Sequence, residues 1–422
     1  MNWRARLEDL RTGFSRTYWV ANTLELFERF AFYGSKAVLT VYLAEKVGLG
    51  PVVAGSLAGL FSGVLYSLPI VAGTFVDRYG FKRSLAACFA LFCVGYFLIG
   101  MAGLEFGAGI VAAVGRQPYV IAVLLLTAIG GSLIKPCIVG TVARTTRPDL
   151  KSLGYSIYYM LVNIGGAVGP ILALQVRENL GIEYVLVMSS LTSFLLLLGT
   201  LLFFREPERA PDEKPPTSMA QVLRDMVLVF GNLRFMSFLV IFSGFWIMFW
   251  QIFYSLPFYL KEVLDFERFE LIETVDAWSI IVLSVPITAA MRRWLPIRAM
   301  SVGFGIATCS WLLIVLLPTW QMVVVAMFFF ALGEAMQAPR FYEYVADLAP
   351  REQVGTFMGF AFLPVAIGSF VAGPLGGYLV QHYVYEQRDP EGMWLVVFAI
   401  GLASTVLMVL YDRLFATRKR PA

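Results

Sequence analysis

The sequence predicts an all-α integral membrane protein with twelve transmembrane helices arranged as two six-helix bundles. Three observations predict it. Of 422 residues, 59% are hydrophobic and only 15% charged, where soluble chains carry roughly 25% charged residues. Apolar runs near the roughly 20 residues needed to cross hydrocarbon recur twelve times. A charged, proline-rich stretch at 205–216 divides those runs into six and six. Open sheets cannot span a bilayer, because their edge groups would lie unbonded in lipid. So much apolar side chain must face lipid, which excludes a soluble enzyme, a nucleic-acid binder and a disordered scaffold.

In chain order the expected spans are 18–43, 51–76, 84–104, 119–142, 155–175 and 184–204, then 235–259, 274–291, 297–317, 320–345, 355–380 and 393–412. Residues 1–17 are polar, carry Arg4, Arg6, Arg11 and Arg16, and lead into a run too long for the core of a cleavable signal. Segments on the presumed inner side hold 22 Lys and Arg, and the opposite loops hold six. The positive-inside rule therefore puts both termini in the cytoplasm, as an even number of spans requires, in an inner or plasma membrane. The expected domains are 1–204, a cytoplasmic linker 205–232 ending in a short amphipathic helix at 219–232, and 233–422. The net charge of +4 follows this topology and implies no polyanionic partner. Cys88, Cys93, Cys137 and Cys309 lie inside apolar stretches without a CxxC pair, and the one histidine, His382, falls in an outer loop. No metal site, cofactor or disulfide framework is expected.

Two six-span halves joined by a cytoplasmic linker is the layout of the major facilitator superfamily, whose substrate site lies near the midplane between the halves. The loop after the second span, Gly73-Thr-Phe-Val-Asp77-Arg78-Tyr-Gly80-Phe-Lys82-Arg83, resembles that superfamily's inner-loop signature GxxxDRxGxR/K. Asp77 and Arg78 are accordingly candidates for an inner gate. The corresponding loop of the second half, Met291-Arg-Arg-Trp-Leu-Pro296, is degenerate.

Charges at membrane depth cost about 2.5–3.5 kcal/mol each on insertion scales and mark function. The first span carries Glu25, Glu28, Arg29 and Lys36. At about 100° per residue they share one stripe with Phe32 and Tyr33. Glu25 and Arg29 are spaced i,i+4 and can pair. Glu28 then needs a proton or a cation, which suits proton coupling; a purely structural ion-pair cluster is the alternative. Lys135 in the fourth span is too deep to reach the interface, and Pro136 beside it removes a backbone donor. Glu334 in the tenth span faces a different demand: an acid opposite first-half bases would suit a zwitterion, or an unliganded bridge to Lys135. Tyr158, Tyr159 and Asn163 on the fifth span, and Trp246, Trp250, Gln251 and Tyr254 on the seventh, complete a candidate lining. Buried amides such as Asn163 and Gln251 require partners.

These residues resemble motifs of the proton-dependent oligopeptide transporter family. Glu25-Leu-Phe-Glu28-Arg29-Phe-Ala-Phe-Tyr33-Gly34 is similar to its ExxERFxYYG signature, Ile134-Lys135-Pro136-Cys137 to its IKPC stretch, and Tyr158-Tyr-Met-Leu-Val-Asn163-Ile-Gly165 to FYxxINxG. Phe245-Trp246 with Trp250-Gln251, and Leu332-Gly333-Glu334 with Pro339, are similar to its seventh and tenth helices. The resemblance implies a proton-driven importer of di- and tripeptides working by alternating access. Glu25, Glu28, Arg29, Lys135 and Glu334 would couple protons. Tyr33, Lys36, Tyr66, Lys135, Asn163, Trp250, Gln251 and Glu334 would bind substrate. Lys36 stands where the family usually carries arginine, Phe32 replaces the first of two tyrosines, and Ala277-Trp278 stands in place of an Asn-Pro. The expected partners are a small-molecule substrate, protons and lipid, with the protein a monomer and no nucleic acid bound. An alternative keeps the machine and changes the cargo to another carboxylate-bearing metabolite, such as an amino-acid conjugate or siderophore, exported by antiport. A membrane receptor is a third reading. An intramembrane enzyme is disfavoured, because the sole histidine lies outside the membrane and leaves no nucleophile–histidine set.

Overall fold

The computed structural model of the chain describes residues 13–208, 219–350 and 354–415. Arg4, Arg6 and Arg11, most of the proline-rich linker and the basic tail lie outside them. The described residues are helical throughout, apart from short connections and an isolated antiparallel bridge between Phe14 and Thr146. The fold is all-α, as expected. Eleven helical segments among the described residues are long and apolar enough to cross a membrane. The first helix, α1 (Arg16–Val41), is equally long but carries the four charges of the first expected span.

The helices follow in order as α2 (Gly50–Ser67), α3 (Pro69–Tyr79), α4 (Phe81–Met101), α5 (Ala108–Val114), α6 (Arg116–Ser132), α7 (Ile134–Thr145), α8 (Lys151–Asn179) and α9 (Ile182–Phe203). Then come α10 (Met219–Phe230), α11 (Leu233–Tyr254), α12 (Leu256–Glu262), α13 (Phe269–Ala290), α14 (Pro296–Leu316), α15 (Trp320–Leu348), α16 (Val354–Gly359), α17 (Leu363–Leu379) and α18 (Pro390–Phe415). Prolines explain where single spans break into two helices. Pro69 separates α2 from α3, Pro136 follows the break between α6 and α7, and Pro257 follows that between α11 and α12. A proline lacks the N–H that would bond the carbonyl four residues back, and its ring crowds that carbonyl.

The chain forms two compact units, Met1–Leu49 with Ser67–Val222, and Gly50–Tyr66 with Leu223–Ala422. In the first, α1 packs on α8 and α9, and α4 packs on α6 and α9. In the second, α14 packs on α15 and α18, α11 on α17, and α13 on α15. Helix α2, early in the sequence, groups with the second unit. There Gly59 meets Gly373 of α17 closely enough that a Cβ on Gly59 would lie 2.8 Å from the Gly373 Cα. Ser369 donates to the Gly59 carbonyl at 3.0 Å, and Tyr254 Oη donates to the Ala58 carbonyl at 3.1 Å. Small residues let helix backbones approach and pack where lipid supplies no hydrophobic drive.

The outer faces match a lipid solvent. On α9, Leu191, Leu195 and Leu202 are exposed, and on α13 so are Val282 and Val285. Helix α10 lies within the expected amphipathic stretch, and its Phe230 ring meets Phe360 edge-on at 5.3 Å. His382 occupies the π-helical turn after α17, stacked on Tyr378, with Nδ1 3.4 Å from Glu386.

The contact of α1 with α8 depends on Gly165, where a Cβ would lie 2.2 Å from the Arg29 Cβ. Gly165→Val should therefore lower the thermal unfolding temperature of the purified protein, at a cost of about 1–3 kcal/mol for the overpacked contact. Gly73→Ala, at a site with nothing within 4 Å of an added Cβ, should leave it nearly unchanged.

Candidate functional site

In the first unit three of the charges predicted on α1, Glu25, Glu28 and Arg29, come together with Lys135. Glu25, Glu28, Arg29 and Lys36 are all buried, none more than 3% exposed. Arg29 binds Glu28 through Nε and Nη2, and its Nε lies 3.5 Å from Glu25 Oε1. Glu25 Oε1 takes its closer cation from α7, with Lys135 Nζ at 3.1 Å. Lys135 also donates to Tyr158 Oη of α8 at 2.7 Å, and Tyr158 in turn donates to Glu25 at 3.4 Å. Expected alone, the Glu25–Arg29 pair leaves Glu28 without a cation; in the fold Arg29 turns mainly to Glu28, and Lys135 supplies Glu25. Two acids thus meet two bases, so the cluster is neutral as a whole. Neutrality with hydrogen bonds offsets the desolvation that a lone buried charge would suffer.

The local sequence places each member. The break before Pro136 sets Lys135 in the first turn of α7. Gly165 brings the α8 backbone against Arg29, whose guanidinium lies 4.8 Å from the Phe32 ring and 5.9 Å from that of Tyr33. Glu25 Oε2 and Glu28 Oε1 are shielded from solvent and accept no hydrogen bond. Each acid therefore retains a lone oxygen able to take a proton while its other oxygen stays engaged. Asn163 is half-buried, and its amide donates to the Tyr159 carbonyl of its own helix at 2.8 Å.

The second unit holds the remaining candidates. Tyr66, at the end of α2, lies 5.8 Å from the Trp250 ring. Trp250 stacks on Tyr254 and donates its indole N–H to the Val365 carbonyl at 3.1 Å. Gln251 is fully buried: its amide donates to the Ala372 carbonyl of α17 at 3.2 Å, and its oxygen accepts from Ser255 at 2.5 Å. Its polar atoms thus bridge α11 to α17. Glu334 on α15 is half-buried with Oε2 unbonded, and its charge interacts with that of Asp276 on α13. Asp276 is absent from the sequence-based candidates. The signal for it was an acid within the eighth span, beside the Ala277-Trp278 departure.

At the loop after the second span, Asp77 is half-buried and Arg78 exposed, its guanidinium 5.6 Å from the Tyr79 ring. Gly80 sits at φ +85°, a left-handed conformation that glycine adopts without strain. Beyond it, Glu206 accepts from the backbone N–H groups of Phe81 and Lys82, both at 2.7 Å. A carboxylate there satisfies two orphan donors of α4 and complements the positive end of its dipole. In the sequence Glu206 belongs to the expected cytoplasmic linker 205–232, where nothing local marks it as a cap.

The Major Facilitator Superfamily model matches residues 23–310 and 268–422. The chain belongs to the Major Facilitator Superfamily. It is a multi-pass membrane transporter rather than an enzyme. Among facilitator relatives, it is 22% identical to "Multidrug resistance protein MdtH" of Yersinia enterocolitica, over 87% of this chain and 88% of that one. The protein of the same name from Blochmanniella pennsylvanica is 23% identical over 89% and 88%. Among solved facilitators, the fold is similar to a POT family transporter in complex with 5-aminolevulinic acid, with a TM-score of 0.78, 17% identity and coverage of 94% and 96%. It is likewise similar to a peptide transporter POT in complex with sulfate, with a TM-score of 0.73, 20% identity and 94% coverage of each chain. The resemblance read from the motifs is thus matched at the level of the fold.

Glu206→Ala should destabilise this facilitator by about 1 kcal/mol through loss of the α4 cap, read as a lower unfolding temperature. Glu206→Gln, which keeps an acceptor, should recover part of that loss.

Proposed function

We propose that the protein is a proton-coupled secondary transporter of short peptides, importing them by alternating access. The observation that carries this reading is the neutral cluster of Glu25, Glu28, Arg29 and Lys135, joined through Tyr158 within the first unit. Protonation of Glu28 releases Arg29, and protonation of Glu25 releases Lys135, so each proton frees one cation. A freed cation then attracts the carboxylate of a substrate. Binding and protonation are linked in this way, because a ligand shifts an equilibrium only by its differential affinity for the two states. Tyr33, Lys36, Tyr66, Asn163, Trp250 and Glu334 are the proposed substrate contacts, with Gln251 holding α11 to α17 behind them, and Asp77 and Arg78 the proposed inner gate. The bias of Lys and Arg places both termini on the cytoplasmic side of an inner or plasma membrane, and the protein works as a monomer.

The names of the curated relatives favour a second reading, in which the same cluster drives export of another cargo by exchange for protons. Proteoliposomes with an alkaline interior distinguish the two. Import predicts accumulation of radiolabelled dialanine; exchange predicts none, with preloaded cargo leaving when the exterior is made acidic.

Lys135→Ala should abolish gradient-driven flux while leaving the protein folded. Glu28→Gln should abolish gradient-driven accumulation and leave exchange of cargo across the membrane without a gradient. Undiminished accumulation by both variants overturns proton coupling through this cluster.

A further inference from the structure

Where α14 begins and α18 ends, the second unit opens a cavity of about 500 Å³ with Arg293, Arg298 and Asp412 in its lining. We propose that this cavity seats an anionic phospholipid, its phosphodiester on the two arginines and its acyl chains running along Val302 and Val409. The inference stands apart from the transport reading, since it needs only that these helices cross a membrane.

Helix direction orders the lining by depth. Helix α14 enters the membrane from Pro296, and α18 leaves it towards Phe415. Arg298 stands in the first turn of α14 with Val302 one turn deeper, and Asp412 stands in the last turn of α18 with Val409 one turn deeper. Charge therefore lies at the membrane's edge and valine beneath it, the same order in which a phospholipid runs from headgroup to chain. Val302 and Val409 are exposed, as are Trp294 and Leu295 just ahead of α14. Tryptophan settles at the headgroup level of a bilayer. The turn that carries Arg293 and Trp294 is held in place. The Met291 carbonyl accepts from the Trp294 backbone N–H at 2.9 Å and from Arg340 of α15 at 2.6 Å, and Met291 packs with Ala299 and Met336.

Two guanidinium groups against one carboxylate leave the cavity with one positive charge in excess. Among the described residues neither arginine forms an ion pair, with Asp412 or with any other acid. The Ser301 hydroxyl, also in the lining, is committed to the Ile297 carbonyl at 2.9 Å. The arginines are thus the side-chain donors left for a ligand, and their planar forks match the oxygens of a phosphate. A headgroup of charge −1 neutralises the excess, whereas a zwitterionic one leaves it standing. A soluble phosphate would satisfy the arginines and leave the valines uncovered; a lipid answers both halves of the lining. Basic recesses between membrane helices are suited to such headgroups. Arg292, next in sequence to Arg293, lies outside the lining and carries the same charge.

The test uses the full chain in phosphatidylcholine nanodiscs holding a graded fraction of phosphatidylglycerol with brominated chains, which quench nearby tryptophans. The part of the quenching that Trp294→Phe removes reports the cavity. That part should reach half-saturation at a lower fraction of brominated phosphatidylglycerol than of brominated phosphatidylethanolamine or phosphatidylcholine. Arg298→Gln and Arg293→Gln should each raise the half-saturating fraction about tenfold or more, as expected for a charged hydrogen bond. Arg292→Gln should raise it less than about fivefold, through diffuse attraction alone. Asp412→Asn, which removes the opposing charge, should lower it. Should a glutamine variant fail to fold, Arg298→Lys, which keeps the charge and loses the fork, should still raise the fraction. Equal saturation by the three lipids, equal weakening by Arg292→Gln and Arg298→Gln, or weaker binding in Asp412→Asn each overturns the proposal. Relief of the quenching by glycerol phosphate assigns the site to a soluble phosphate and overturns the lipid.

Discussion

A charge in hydrocarbon must be neutralised or hydrated, and most of what distinguishes this chain from a plain bundle of apolar helices follows from that constraint. Four charges on α1 and one on α7 enter the first unit. Such residues can be tolerated at depth only where opposite charges and hydrogen bonds converge. The convergence dictates the packing around it. Helix α8 must come close at Gly165, so that Tyr158 reaches Lys135, and the fourth span must be broken so that Lys135 reaches Glu25. Glycine, proline and tyrosine here are answers to one electrostatic demand.

The two units answer that demand differently. The Glu25, Glu28, Arg29 and Lys135 cluster is balanced, so its groups trade partners without changing its net charge. In the second unit two acids, Asp276 and Glu334, lie close enough for their charges to interact.

Much of the fold was legible in the sequence, because span length and the alternation of apolar runs with basic loops follow directly from bilayer thickness and insertion energetics. The break beside Lys135 was legible too, since proline's missing donor is a local property. What sequence could not supply was the choice among partners. Arg29 stands i,i+4 from Glu25 and directly after Glu28; which acid it takes is decided by Lys135, 110 positions away along the chain. Gln251 read as a ligand contact because a buried amide needs partners, and the fold supplies them as Ala372 and Ser255. Glu206 looked like one charge in a solvated linker, and its capping of α4 depends on a contact 125 residues back in the chain. Asp276 stands beside Ala277-Trp278, and Glu334 comes near it only through the packing of α13 on α15, which no local pattern announces.

The interruption at Leu68 has a mechanical consequence. On one side of it, α2 is interlocked through Gly59 with α17; on the other, α3 belongs with the first unit. One span is therefore shared by two bodies, and the junction falls where Pro69 already forfeits a rung of the helical ladder. With that rung absent, fewer backbone hydrogen bonds hold α2 and α3 in line than hold either helix within itself.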